Sequence, residues 1–254
     1  MTNNKNSSLK VLVLDIENSY LVGGIWNLYP NAVSLDQLLD SGKMLCWSAK
    51  WLNEKEIMWC KHSSPEFLEW LKALLDEADA VLTYNGRRHD LPFINRELLK
   101  ADITPPSPYK HIDLFETVKK QFKFPSNKLQ HILTELGLGS KVEHEGFPLW
   151  IKCLQEDPKA WKVMKKYNIA DVRLLEKAYN KILPWISNHP NRSLFAEDTV
   201  CPTCGSKHLI SDGYATTKTG KYLKFQCKDC GHYSRTRYTE ISAATRKKVL
   251  VSAQ

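Results

Sequence analysis

Val11-Leu12-Val13-Leu14-Asp15-Ile16-Glu17 is the stretch on which the reading of this chain turns. Four consecutive apolar residues, two of them β-branched valines, make a buried strand the simplest local structure. Side chains alternate across a strand, so Asp15 and Glu17, two positions apart, leave it on the same face. Two carboxylates side by side repel unless a cation lies between them, and oxygen donors of this kind suit a hard divalent ion such as Mg²⁺ or Mn²⁺. The same residues also fit a solvated strand end running into a loop, and the pair alone does not choose between the two.

Outward from this strand, Gly23-Gly24 marks a turn, and Met44 to Trp51 and Glu56 to Cys60 read as further strands of one sheet, in a meander. Ser64-Pro65-Glu66 is a helix start, and Phe67, Leu68, Leu71, Leu74 and Leu75 recur at helical spacing up to Ala78. Ala80 to Tyr84 reads as a short buried strand. The polar loop Asn85-Gly86-Arg87-Arg88-His89-Asp90 then leads into a helix through Lys100, which puts Asp90 at a helix N-terminus. Pro105, Pro106 and Pro108 make a stiff connector to a strand over Ile112 to Leu114. Helices are expected over Phe115–Phe122, Lys128–Leu136 and Pro158–Ile182. Strands first, then strand and helix alternating, is an α/β pattern with a mixed sheet flanked by helices.

On the last of these helices, Tyr167 and Asp171 are four apart and share a face. Asp171 lies among Ile169, Val172, Leu174 and Leu175, where a bare carboxylate needs a partner. A core tyrosine beside a capping or salt-bridged aspartate fits this pair as well.

At 254 residues with 43% apolar side chains, the chain can hold one sizeable domain and a small one. It has no apolar run of transmembrane length, and no membrane partner is expected. The polar stretch from Met1 to Lys10 lacks the apolar segment of a secretory signal, so a reducing, cytoplasmic setting is expected. Cys46, Cys60 and Cys153 are then read as buried small residues. The net charge of +8 favours an anionic partner, and residues 196–254 carry 10 Lys and Arg against 5 Asp and Glu, so the tail is the basic part.

That tail holds the most specific motif of the chain. Cys201-Pro202-Thr203-Cys204 and Cys227-Lys228-Asp229-Cys230, each followed by Gly, lie 22 residues apart and read as a zinc ribbon. Four thiolates supply a closed tetrahedral set for a structural Zn²⁺, with Gly205 and Gly231 permitting the tight knuckle turns; a redox disulfide pair is the alternative. Tyr214, Lys218, Lys221, Tyr222, Lys224, Phe225, Tyr233, Arg235, Arg237 and Tyr238 interleave aromatic and basic side chains around the knuckles. Lys224, Arg235 and Arg237 are thereby candidate nucleic-acid contacts, although ribbons also bind proteins. The expected division is a domain over 8–186, a linker over 187–198, the ribbon over 199–240 and a basic tail over 241–254.

Asp15-x-Glu17 on a first strand, Asp90 after a strand and a polar loop with Asn85 five residues before it, and Tyr167-x-x-x-Asp171 on a late helix together resemble the three motifs of the DEDD exonucleases, in their DEDDy branch. The resemblance covers roughly residues 8–185. It departs from the family at His89, where the second motif usually has Phe or Tyr, leaving that residue to stack on a base or simply to pack. It implies a ribonuclease H-like fold and metal-assisted phosphodiester hydrolysis releasing nucleoside 5′-monophosphates from a 3′ end of DNA or RNA. By resemblance, Asp15, Glu17 and Asp171 hold one divalent ion, Asp15 reaches a second, Asp90 completes the four carboxylates, and Tyr167 orients the attacking water. Asn85, Arg87 and Arg88 are candidate contacts to sugar and phosphate, the arginines fitting a solvated loop equally. The eight tryptophans, Trp26, Trp47, Trp51 and Trp59 among them, could stack on unpaired bases or fill the core. The expected partner is a single strand or a free 3′ end, with a replication or repair protein as a further partner of the ribbon; a bacterial cell or a phage-infected host would suit such a protein. The alternatives are a non-catalytic nucleic-acid-binding module and a structure-selective endonuclease on the same fold.

Overall fold

The computed structural model describes residues 9–28 and 32–253; the polar N-terminal stretch up to Ser8 lies outside them. The chain divides into two compact units, one over Lys10–Asn180 and a smaller one that begins at Lys181.

The larger unit is built on β1 (Val11–Asn18), β2 (Val22–Gly23), β3 (Leu38–Asp40), β4 (Met44–Trp51), β5 (Met58–Lys61), α1 (Phe67–Glu77), β6 (Ala80–Thr83), α2 (Asp90–Lys100), β7 (Lys110–Asp113), α3 (Leu114–Gln121), α4 (Leu129–Glu135), α5 (Phe147–Leu154) and α6 (Pro158–Ile182). Its five-stranded sheet has the order β5-β4-β1-β6-β7. β1 pairs antiparallel with β4 and parallel with β6, so the sheet is mixed, as expected. β2 and β3 form a separate small hairpin.

β1 carries different chemistry on its two faces. Leu12, Leu14 and Ile16 join Trp47, Ala49 and the buried face of α1 (Phe67, Leu71, Leu74, Leu75) in one core, which Ile94 and Leu98 of α2 complete. Burying side chains of this size contributes about 1.5–3 kcal/mol each, and this layer holds the strand in place. The register pairs Asp15 with Ser48 and Glu17 with Cys46, placing both carboxylates on the opposite face. On that side Cys46, Leu149 and Cys153 of β4 and α5 pack against Trp161, Met164 and Tyr167 of α6 in a second core. α6 starts where Pro158 follows Asp157, whose Oδ1 accepts the amide of Lys159 at 2.7 Å, a cap preceding proline at the first helical position.

The smaller unit holds β8 (Leu209–Thr216), β9 (Lys221–Cys227) and β10 (Tyr233–Arg235) in a three-stranded antiparallel sheet, followed by a single turn, α7 (Ala243–Arg246). Within the stretch expected as a linker, Arg192–Phe195 forms a 3₁₀ turn. Arg192 donates its amide to Pro202 O at 2.8 Å and Nε to Thr203 O at 3.0 Å, which fastens that turn to the first cysteine knuckle. Among the described residues, no helix is long and apolar enough to cross a membrane.

Candidate active site

Asp15, Glu17 and Asp171 converge, each offering a carboxylate oxygen within 4.8 Å of the others. β1 delivers the first two and the middle of α6 the third. Asn168 locks helix to strand: its Nδ2 donates to Asp15 Oδ2 at 2.7 Å, Ser48 Oγ on β4 donates to its backbone carbonyl at 2.8 Å, and its side chain is fully buried. The i, i+4 pair expected on α6 holds, with the Tyr167 hydroxyl donating to Asp171.

Asp90 stands next to this group rather than within it. Its Oδ1 accepts the amide of Ile16 at 3.3 Å, between the two acidic positions of β1. His89 is exposed, and its Nε2 lies 2.9 Å from Asn18 Oδ1, which ties the start of α2 to the end of β1.

The electrostatics follow from crowding anions in a protein-lined cleft. Burial first, then Asp171, Glu17 and Asp90, push the Asp15 carboxyl well above the usual carboxylate range. Burial and Asp171 raise Glu17 to about 8, and burial raises Asp90 to about 6. Burial also raises Asp171, against the pull of Lys141. The Lys141 ammonium sits 2.5 Å from Asp171 Oδ2 and 3.3 Å from the Tyr167 hydroxyl. Burial opposes the charge on Lys141, but Asp171 outweighs it and the ammonium is held above the ordinary lysine range. Asp171 Oδ1 is buried with no hydrogen-bond partner.

The sequence singles out none of Lys141, Asn168 and His144, and offers Trp150 only as one of eight tryptophans. The His144 ring lies 4.8 Å from that of Tyr167, and the Trp150 indole donates to Glu17. Beside them, Asn18, Ser19, Tyr20, Gly146, Phe147 and Trp150 line a mainly apolar cleft of about 320 Å³, in which the Tyr20 and Phe147 rings are 4.8 Å apart. A Lys-x-x-His stretch bounded by Gly139 and Gly146 was the one available hint, and it has no meaning until α6 is packed beside it.

The loop residues Asn85, Arg87 and Arg88 go elsewhere. Asp113 accepts the amides of Asn85 at 2.8 Å and Arg87 at 3.0 Å, and the Arg87 side chain pairs with Glu116 at 3.1 Å. Asn85 and Arg88 line a cleft of about 460 Å³ with Phe115, Lys119 and Lys120, which the acid cluster does not border. Of the tryptophans weighed for stacking, Trp47 is fully buried and Trp51 packs on the core, Trp59 is half-buried against Trp161, and Trp26 is exposed.

In the smaller unit the four cysteine sulfurs lie within 4.8 Å of one another, with Cys201–Cys230 at 3.7 Å and Cys204–Cys227 at 3.6 Å. Sulfurs on a tetrahedron with Zn–S bonds of about 2.3 Å are roughly 3.8 Å apart, so the set fits zinc; all four cysteines are free thiols, not disulfides. The knuckles are alike: Gly205 N donates to Cys201 O and Gly231 N to Cys227 O, both at 2.9 Å, and both glycines have positive φ, +82° and +78°. Lys224 and Arg235 face each other across the β9–β10 pair, whereas Arg237 follows β10 and lies over Tyr238.

A mixed sheet whose central strand presents two carboxylates to the aspartate of a late helix, followed by a four-cysteine ribbon, defines a ribonuclease H-like α/β protein with an appended four-cysteine module that fits zinc. The chain belongs to the RNase_H superfamily: the RNase_H_2 family model matches residues 51–183. That span contains Asp90, Tyr167 and Asp171, and β1 brings Asp15 and Glu17 to it through its pairing with β4 and β6. A structure of the family B DNA polymerase from the hyperthermophilic archaeon Pyrobaculum calidifontis has a similar fold, with a TM-score of 0.55 at 14% identity over 94% of this chain. The chain corresponds to 41% of that polymerase chain. No curated protein matches it.

Proposed function

We propose that this protein is a divalent-metal-dependent 3′→5′ exonuclease of the DEDDy type, releasing nucleoside 5′-monophosphates from DNA or RNA. The convergence of Asp15, Glu17 and Asp171 carries the reading, together with the buried and unpartnered Asp171 Oδ1. Oxygen donors so close, facing one another without enough positive charge, fit Mg²⁺ or Mn²⁺. Asp15, Glu17 and Asp171 would hold one ion, with Asp15 and the adjacent Asp90 available to a second. When bound, such ions supply an activated water and neutralise charge on the reacting phosphate.

The chain's own side chains do the rest. Asn168 fixes the rotamer of Asp15 through its 2.7 Å bond. Burial, with Glu17 and Asp171 nearby, pushes the Tyr167 phenol above its ordinary value, so it stays protonated and serves as an orienting hydroxyl for the attacking water rather than as a base. Lys141 brings a positive charge to the group that meets the phosphate. The cleft of Tyr20, Phe147 and Trp150 offers a stacking surface beside Glu17 for a terminal unpaired base. The four thiolates of the ribbon would hold a structural Zn²⁺ and leave no open ligand position.

The test is to incubate 5′-labelled DNA and RNA oligonucleotides with the protein and Mg²⁺ or Mn²⁺, next to circular and 3′-blocked substrates and an Asp15→Ala variant. A ladder shortening from the 3′ end, absent from the variant and the blocked substrates, is expected. Cleavage of circles would instead identify an endonuclease, and binding without cleavage a non-catalytic module.

A further inference from the structure

The ribbon's sheet has two unlike faces. Strand register sorts them: Lys221, Leu223, Phe225 and Cys227 point one way along β9, and Tyr222, Lys224 and Gln226 the other. Tyr233 pairs with Gln226 and Arg235 with Lys224, so these side chains join Tyr222 on the face away from the Cys227 thiol. There the Arg235 guanidinium lies over the Tyr222 ring at 3.9 Å and the Lys224 ammonium over the Tyr233 ring at 5.4 Å. Two aromatic rings thus flank two cations in the order Tyr222, Arg235 with Lys224, Tyr233. Tyr233 is 51% exposed, and Ile210 is the one large aliphatic side chain that the register adds to this face.

We propose that this face is a docking track for an unpaired nucleic-acid strand, which rests on the reading that the substrate is a nucleic acid. Charge complementarity selects the occupant. Residues 196–254 carry twice as many basic as acidic residues, and Arg235 has no carboxylate partner among the described residues, being held on a ring instead. Lys224 has one, Asp212 at 3.1 Å, on β8. A cation over an aromatic ring keeps its charge available to phosphate, while the ring and the guanidinium plane both accept a stacked base. Bases in a duplex already stack on one another and cannot use these surfaces, so a single strand is the occupant that meets both the cations and the rings.

The test uses the full-length, zinc-loaded chain carrying Asp15→Asn to prevent cleavage, with fluorescein-labelled dT20, rU20 and a blunt 20-bp duplex read by anisotropy. Tyr222→Leu with Tyr233→Leu is expected to weaken binding of the tighter single strand about 10- to 100-fold, leaving the duplex unchanged. Arg235→Gln should lower the slope of log affinity against log salt by about one. Ser234→Ala, on the opposite face, should have no effect. Zinc content equal to the parent's certifies that each variant is folded. Ring variants that retain zinc and bind dT20 and rU20 as the parent does would overturn the proposal, as would an equal loss of duplex binding. The active chain, assayed in parallel, separates the two readings. Ring-dependent binding without 3′ trimming removes the exonuclease and keeps the track, whereas trimming with ring-independent binding does the reverse.

Discussion

Lys141 occupies the position where a cation is wanted, with its ammonium on Asp171 Oδ2 and beside the Tyr167 hydroxyl. Lys141→Met should therefore have two opposite effects. Without divalent metal, Asp171 loses its counter-charge, and the fold should lose about 1–3 kcal/mol. Mn²⁺ should bind more tightly, by about tenfold, because a positive charge no longer competes for the same oxygen. Thermal melts and calorimetric titration check both, and an unchanged Mn²⁺ affinity would remove Lys141 from the cluster. The proton balance gives a second expectation. Glu17 is held at about 8 and Asp90 at about 6, both above the range of unfolded carboxyls, so the folded chain keeps protons that the unfolded chain has released. Stability of the Mg²⁺-free protein should fall as pH rises from about 4 to about 8, and added Mg²⁺ should raise the melting temperature more at pH 8 than at pH 5. The carboxylates were visible in the sequence because strand and helix periodicity are local. Lys141 and Asn168 were not, since Asn168 is 153 positions from the aspartate it fixes and Lys141 is 30 from the one it pairs with.

The connection between β6 and α2 is an element held by its backbone. Asp113, at the end of β7, accepts the amides of Asn85, Arg87 and Phe115, which positions the loop and caps α3 at once. A Cβ on Gly86 would meet Thr83 Oγ1 at 2.3 Å and Thr83 Cβ at 2.5 Å, so this close approach to the strand admits only glycine. Gly86→Ala should shift the loop and with it Asp90 at the head of α2, lowering the melting temperature and the trimming rate together. Asp113→Ala, which leaves three partly buried amides without an acceptor, should cost about 3 kcal/mol in chemical unfolding. An activity loss without a stability loss would mean that the loop residues contact substrate directly. The long elements were legible because their signals are redundant: α6 runs from Pro158 to Ile182 as its proline start and apolar spacing indicate. α5 went unread because eight residues dominated by Phe147, Leu149, Trp150, Ile151, Cys153 and Leu154 are apolar nearly all round, and a helix of two turns has no period to detect. The β2–β3 hairpin, with strands of two and three residues, is too short to carry any alternation.

At the scale of the whole molecule, the two units are stabilised by different means. The Lys10–Asn180 unit has two apolar layers on its sheet. In the smaller unit no residue of β8 or β10 is buried, and Cys227 is the one buried residue of β9, so a zinc held by the four thiolates would substitute for core. Cys201→Ser with Cys204→Ser removes two ligands without touching the acid cluster. About one zinc per chain should be lost, and amide-exchange protection over β8–β10 with it, while β1 and α6 stay protected by their own layers. If the exonuclease centre resides in the larger unit, this variant should still release mononucleotides from oligomers of two or three nucleotides. If the ribbon holds the strand and takes no part in the chemistry, the apparent KM on long single strands should rise while kcat holds. A collapse of kcat on the shortest substrates, with β1 and α6 still protected, would place ribbon side chains in the reaction itself.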